Sequence, residues 1–233
     1  MSKKSYFVCG DIHSFYDEFI RALRDKGFDK DNPNHILICV GDLFDRGEKP
    51  VEVYNFVKSL PADRFVYIRG NHEDLLFDCC RENKEHPFDI GYHHFTNGTY
   101  GTMVKFITKG IIDEVLQFIN DRSVYHYEIG NNIFVHGWIP RSYEQNGTAT
   151  TKEWKEATWY NGMQAWNKDW CIKGKTIFCG HWHTSFGNCF YHDIGSGEFT
   201  EDACFEPFID TGIVALDSCA ARSGFVNCYR IDE

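Results

Sequence analysis

Five times along the chain, a short apolar run stops at a glycine-bearing polar motif. Tyr6-Phe7-Val8-Cys9 ends at Gly10-Asp11-Ile12-His13, Ile36-Leu37-Ile38-Cys39-Val40 at Gly41-Asp42, and Phe65-Val66-Tyr67-Ile68 at Arg69-Gly70-Asn71-His72. Further on, Ile133-Phe134-Val135 ends at His136-Gly137, and Thr176-Ile177-Phe178-Cys179 at Gly180-His181-Trp182-His183. Runs this short, rich in β-branched and aromatic residues and closed by glycine, read as buried strands. A glycine beside each polar residue lets the chain turn sharply enough to aim that side chain into a common mouth.

Helical stretches separate the first three runs. Residues 15–26 carry Phe15, Phe19, Ile20 and Leu23 at helical spacing, and residues 50–60 open with proline in the first turn. Alternating strands and helices imply an α/β fold with right-handed crossovers. Residues 208–212, 214–217 and 225–230 read as antiparallel strands of a second sheet packed on the first. The expected architecture is therefore a sandwich of two mixed sheets flanked by helices, forming one domain over residues 1–233. Residues 82–110, with His86, His93 and His94, and residues 139–170, with Trp154, Trp159, Trp166 and Trp170, are long connections and expected rims of a cleft.

Ligands of α/β sheets collect beyond the carboxyl ends of the strands. Those ends deliver Asp11, His13, Asp42, Asn71, His72, His136, His181 and His183. Carboxylate, amide and imidazole together suit borderline divalent ions such as Mn²⁺, Fe²⁺ or Zn²⁺ better than Ca²⁺. One histidine alone is more often a packed or surface group than a ligand, but a set gathered at strand ends reverses that reading. His35, His86, His93, His94, His126 and His192 lie in no such motif and are read as ordinary.

Composition narrows the partners. A formal charge of −10 argues against nucleic-acid binding through a broad basic field. No signal peptide or membrane-spanning run is visible, and the ten cysteines include no Cys-x-x-Cys pair. The thiols are expected to be reduced and the protein cytoplasmic, without a membrane partner.

Taken in order, Gly-Asp-x-His, Gly-Asp-x-x-Asp-Arg-Gly, Gly-Asn-His-Glu, a lone His-Gly and Gly-His-x-His resemble the calcineurin-like metallophosphoesterases. The nearest likeness is to the phosphoprotein phosphatase branch with the bacteriophage lambda and small bacterial Ser/Thr phosphatases. It spans roughly residues 6–183, and Phe95-Thr96-Asn97-Gly98-Thr99 and Ile209-Asp210-Thr211-Gly212 are also similar to that branch.

The resemblance implies a first divalent metal on Asp11, His13 and His183, a second on Asn71, His136 and His181, and Asp42 bridging both. Mn²⁺ is the expected ion, with Fe or Zn as alternatives. It further implies attack on phosphorus by a metal-bridging hydroxide, with His72 as general acid and Asp45 orienting His72. Arg46, Arg69 and Asn71 would bind the phosphate, and Arg141 is the nearest match to a further arginine after the lone His-Gly. Glu73 reads as a charge at a helix N-terminus and Asp210 as a turn residue. The tryptophans read as packing residues, with an aromatic substrate rim as the other reading.

The expected activity is a metal-dependent phosphomonoesterase, a Ser/Thr or Tyr protein phosphatase acting on a phosphoprotein or phosphopeptide. That choice rests on the aspartate at position 45. The alternative is a symmetrical dinucleoside tetraphosphate hydrolase, where the resemblance expects a non-acidic residue at that position. A non-catalytic scaffold should have lost a ligand, and none is missing.

Overall fold

The computed structural model describes residues 3–233. The first half of the chain alternates β1 (Ser5–Cys9), α1 (Tyr16–Asp25), β2 (His35–Cys39), α2 (Pro50–Ser59), β3 (Phe65–Ile68) and α3 (Asn71–Glu85). Three further helices follow, α4 (Tyr92–Thr96), α5 (Thr99–Thr108) and α6 (Ile112–Arg122), before the short β4 (Ser123–Val124). The second half contains β5 (His126–Ile129), β6 (Asn132–Val135), α7 (Arg141–Asn146), α8 (Thr151–Ala157), α9 (Gly162–Asn167) and β7 (Thr176–Cys179). It closes with α10 (Thr184–His192), β8 (Phe208–Asp210), β9 (Ile213–Ala215), α11 (Ala220–Ser223) and β10 (Cys228–Asp232).

Two five-stranded sheets result, in the orders β10-β1-β2-β3-β4 and β5-β6-β7-β9-β8. Both are mixed. Strands β1, β2, β3 and β4 run parallel and β10 antiparallel to β1, while β6, β7 and β9 run parallel and β5 and β8 are antiparallel edges. Strand period sorts side chains between layers. Tyr6, Val8, Ile36, Ile38, Phe134, Phe178 and Val214 fill the space between the sheets. Their neighbours Phe7, Cys9, Leu37 and Cys39 turn outward under α1, α2 and α5 with Phe19, Val53 and Phe106. On the other face, Ile133, Val135, Ile177 and Cys179 pack with Trp138, Trp154 and Met163. Each fully buried aliphatic or aromatic side chain contributes roughly 2 kcal/mol, so these three layers hold the sheets face to face.

Three expectations change. The last strand begins three residues later than the start read from sequence and joins the first sheet, pairing Cys228 with Cys9 and Arg230 with Phe7. Its partner lies more than two hundred residues away, and Arg230 reaches across to cap the Phe7 ring at 5.3 Å, so no local pattern announces the pairing. Residues 213–215 form β9, which is antiparallel to β8 but parallel to β7. The two long connections, residues 82–110 and 139–170, are largely helical rather than open loops, with α4 and α5 in the first and α7, α8 and α9 in the second. No helix of the described residues is long and apolar enough to cross a membrane.

Candidate metal centre

The carboxyl ends of β1, β2 and β3 from one sheet and of β6 and β7 from the other open on one mouth. The turns there are tight. Among the described residues nine non-glycine positions have positive φ, and His13, Ser14, Asp42, Asp45, Arg46 and His181 account for six. Such backbone conformations persist only where surrounding structure enforces them, and they gather at functional sites.

Asp42 occupies the middle, almost wholly buried. Its Oδ2 lies 3.6 Å from Nε2 of His13 and 4.0 Å from Nε2 of His72, and its Oδ1 lies 3.3 Å from Nε2 of His136. Asn71 Oδ1 is 2.8 Å from His136 Nε2 and 3.0 Å from His181 Nδ1. Two donor sets close enough to hold an ion emerge, His13–Asp42–His72 and Asp42–His136–His181, with the Asp42 carboxylate in both. The rings are aimed from behind. Nδ1 of His13 donates to the Phe44 carbonyl at 2.9 Å, and Nδ1 of His136 to that of Val40 at 2.8 Å, so each presents Nε2 to the centre.

The remaining expected residues lie at varying distance from these two sets. Asp11 accepts from the His181 backbone N–H through both oxygens, at 3.0 and 3.1 Å. His183 turns its Nδ1 to Glu198 at 3.2 Å. His72 donates from Nδ1 to Asp45 Oδ2 at 2.7 Å, and Thr99 Oγ1 donates to that same oxygen at 2.8 Å. Arg46 reaches over the mouth, 2.8 Å from His13 Nε2 and 3.3 Å from His72 Nε2. Arg69 is engaged elsewhere: its Nε and Nη2 donate to Asp74 Oδ1 at 2.9 and 2.7 Å, and its plane covers Phe77. Arg141, at the start of α7, pairs with Glu144 at 3.0 Å and stacks 4.0 Å over the Trp170 ring.

The charges are strongly coupled. Burial pushes the Asp42 carboxyl up, but His136, His72 and His13 together hold it well below the ordinary carboxylate range. Burial pulls His136 down, yet Asp42 and then Asp11 lift it to about 10. His181 falls to about 3 through burial and the neighbouring His136. Burial also lowers His72, but the Asp42 charge and the Asp45 hydrogen bond outweigh it and leave its pKa raised. A rise is the direction that suits a proton donor beside the mouth.

Two residues escaped the sequence reading. Glu73 is more than a helix-end charge. Its carboxylate is buried and accepts from the backbone N–H groups of Asp42 at 3.1 Å, Leu43 at 2.9 Å and Gly70 at 2.7 Å. It thus ties the β2 turn to the start of α3. The signal was present, because a Glu at the third helical position commonly reaches back to the N-cap. Thr99 closes the segment 95–99 that resembles the family, but its role was not legible, since it meets Asp45 across 54 residues. A further group, Glu82, His93 and His94, also has donor atoms mutually close, with the His94 ring fully buried.

A buried carboxylate shared by two histidine-bearing donor sets fits a pair of divalent cations, and the chain as a whole agrees. Residues 5–193 match the family described as calcineurin-like phosphoesterase. The chain belongs to that family. It is accordingly a metallophosphoesterase, a hydrolase of a family that uses divalent metals. Among its relatives is the asymmetrical bis(5′-nucleosyl)-tetraphosphatase PrpE of Bacillus velezensis, 38% identical over 86 residues, or 34% of each chain. The symmetrical bis(5′-nucleosyl)-tetraphosphatase of a Marinomonas species is 26% identical over 149 residues, covering 63% of this chain and 49% of that protein. The matched stretches thus span about a third and about half of those relatives' own lengths. In fold, a solved structure provisionally named a diadenosine tetraphosphatase superposes with a TM-score of 0.64 at 16% identity, covering 99% of this chain and 93% of its own. A cold-active protein-tyrosine phosphatase from a psychrophilic Shewanella gives 0.58 at 15% identity, over 98% and 75%.

The relatives correct one expectation. Those matched in sequence are named for dinucleoside tetraphosphates, which overturns the phosphoprotein or phosphopeptide partner expected from Asp45. The physical reason is plain in the geometry. Asp45 contacts His72 and Thr99, so it speaks to how the imidazole is oriented and not to what the leaving group carries.

Proposed function

We propose that the chain hydrolyses dinucleoside polyphosphates, with a symmetrical dinucleoside tetraphosphate as substrate class. The observation that carries the chemistry is the Asp42 carboxylate shared by two donor sets. The substrate class comes from the relatives, and the symmetrical mode from the matched stretch that covers 63% of this chain.

In this reading two divalent cations would be held by Asp42 together with His13, Asp11 and His183 on one side and Asn71, His136 and His181 on the other. Bound there, divalent ions such as Mn²⁺ supply charge neutralisation of the polyphosphate and an activated water; Fe²⁺ and Zn²⁺ suit the same donors. Arg46 lies between His13 and His72 at the mouth and is placed to grip phosphoryl oxygens with its planar fork. His72, oriented through Nδ1 by Asp45, gives its Nε2 proton to the oxygen of the departing nucleotide as the phosphorus–oxygen bond breaks. The contacts of Arg69 and Arg141 favour positioning roles for both, the first through Asp74 and the second through Trp170. All ten cysteines are free thiols, which supports a reducing, cytoplasmic setting.

The test is direct. The Mn²⁺-loaded protein is given diadenosine tetraphosphate, and the nucleotides are separated by chromatography. Two molecules of ADP per substrate are expected. ATP with AMP would replace symmetrical by asymmetrical cleavage, and no turnover with any of the three metals would defeat the assignment.

A further inference from the structure

Two indoles stand beside the proposed centre without being part of it. The Trp159 ring centroid lies 5.8 Å from that of His181, and the Trp182 centroid 6.1 Å from it. Trp159 leaves 53% of its surface exposed and Trp182 36%. Both line a depression of about 320 Å³ whose wall includes Tyr160, Asn161 and Trp170. That volume falls in the range of small-ligand clefts, roughly 300–1,000 Å³.

The wall carries an unusual chemical feature. Asn161 Nδ2 and Trp170 Nε1 are both buried N–H donors with no hydrogen-bond partner. The Asn161 amide is not free to reorient, because its Oδ1 accepts from the Gln164 backbone N–H at 3.0 Å. Arg141 covers one part of the Trp170 ring at 4.0 Å and Tyr160 packs at 5.4 Å, which leaves Trp170 as a wall whose polar edge is unspent. Buried donors are ordinarily satisfied. Both nitrogens are closed to solvent, so what the depression offers a ligand directly is its indole faces.

The geometry points to a nucleobase pocket: a base of the substrate stacks on Trp159 with Trp182 beside it. Purines fit these indoles best, since they offer the broadest π face for stacking. A phosphoryl group or sugar alone would leave the indoles without a role. The assignment rests on the dinucleotide reading above, and it adds where the base lies relative to His181.

Isothermal titration of the full Mn²⁺-loaded chain separates base from phosphate by comparing adenosine 5′-monophosphate with ribose 5-phosphate. The nucleotide should bind roughly 10-fold tighter or more, the scale of one stacked base. Trp159→Ala and Trp182→Ala should each bring that ratio towards one, because each removes one of the two exposed indole faces. Equal affinities in the wild type overturn the pocket, as does a ratio retained in both variants. Failure of the substrate reading looks different. A wild type that prefers the nucleotide yet leaves diadenosine tetraphosphate intact refutes the hydrolase assignment and upholds the pocket.

Discussion

At the scale of single residues, the centre depends on groups that hold other groups. Asp45 is buried, with His72 and Thr99 on one oxygen. In Asp45→Asn the anionic partner of His72 becomes a neutral amide that can present an N–H toward Nδ1, so both the charge and the orientation of the imidazole suffer. We expect kcat to fall roughly 100-fold or more, in line with general acid–base contributions, while metal stoichiometry stays at the wild-type value. Steady-state kinetics paired with elemental analysis checks this; lost metal would move Asp45 from positioning the acid to building the site. Glu73 is the complementary case. It satisfies three backbone N–H groups on two separate segments, which only a carboxylate can do. Glu73→Gln keeps the size, forfeits one acceptor and turns an NH₂ against those donors. Leaving buried donors unpaired costs about 1–3 kcal/mol each, so the urea midpoint should drop clearly. An unchanged midpoint would mean the β2 turn holds itself.

At the scale of elements, the α4–α5 corner braces the catalytic turn from outside. Gly98 sits at φ +81° between these helices, and a Cβ there would come within 2.5 Å of the Arg46 backbone nitrogen. Thr99, next in sequence, makes the Asp45 hydrogen bond. Gly98→Ala therefore pays for both a left-handed backbone and a backbone clash, about 1–3 kcal/mol, and displaces the turn carrying Asp45 and Arg46. Stability and kcat should fall together, and normal kcat in a folded variant would remove α5 from the support of the site. On the other sheet, His126 of β5 stacks on Trp154 of α8 at 4.4 Å, nearly parallel, and burial lowers its pKa below the ordinary 6.5. The sign follows: the unfolded chain takes up this proton first, so stability falls as pH drops through 6.5 towards the folded value. Between pH about 7.5 and about 5.5, His126→Phe should lose less melting temperature than the wild type. Equal losses would show that the ring titrates alike in both states.

At the scale of the whole molecule, what could be read locally was read, and what depends on distant pairing was not. Strands β1, β2, β3, β6 and β7 are legible because each combines an apolar run with a glycine stop, and they carry the expected ligands. The edge strand β10 is not, because its place beside β1 is set by the far end of the chain. Nor could sequence show that Arg69 is held by Asp74 or that Arg141 lies on Trp170, since arginine reach is decided by packing. The legible strands divide unequally between the sheets: β1, β2 and β3 belong to one, β6 and β7 to the other. The layer between the sheets is apolar, built on Val8, Ile38, Phe134 and Phe178, and only at its mouth do Asp42 and His136, from opposite sheets, come within 3.3 Å. Cations bound there would fasten one sheet to the other across a join otherwise held by non-directional packing. Ligands that bind only the folded state stabilise it by about 2.7 kcal/mol at a hundredfold excess over Kd. For a chain of this size that corresponds to roughly 5–10 °C in melting temperature. Chelation should remove this increment and Mn²⁺ restore it, with Asp42→Asn insensitive to both because it lacks the shared carboxylate. A wild type that melts identically with chelator and with metal would show that the two sheets need no cation to stay joined, and would separate the fold from the chemistry at its mouth.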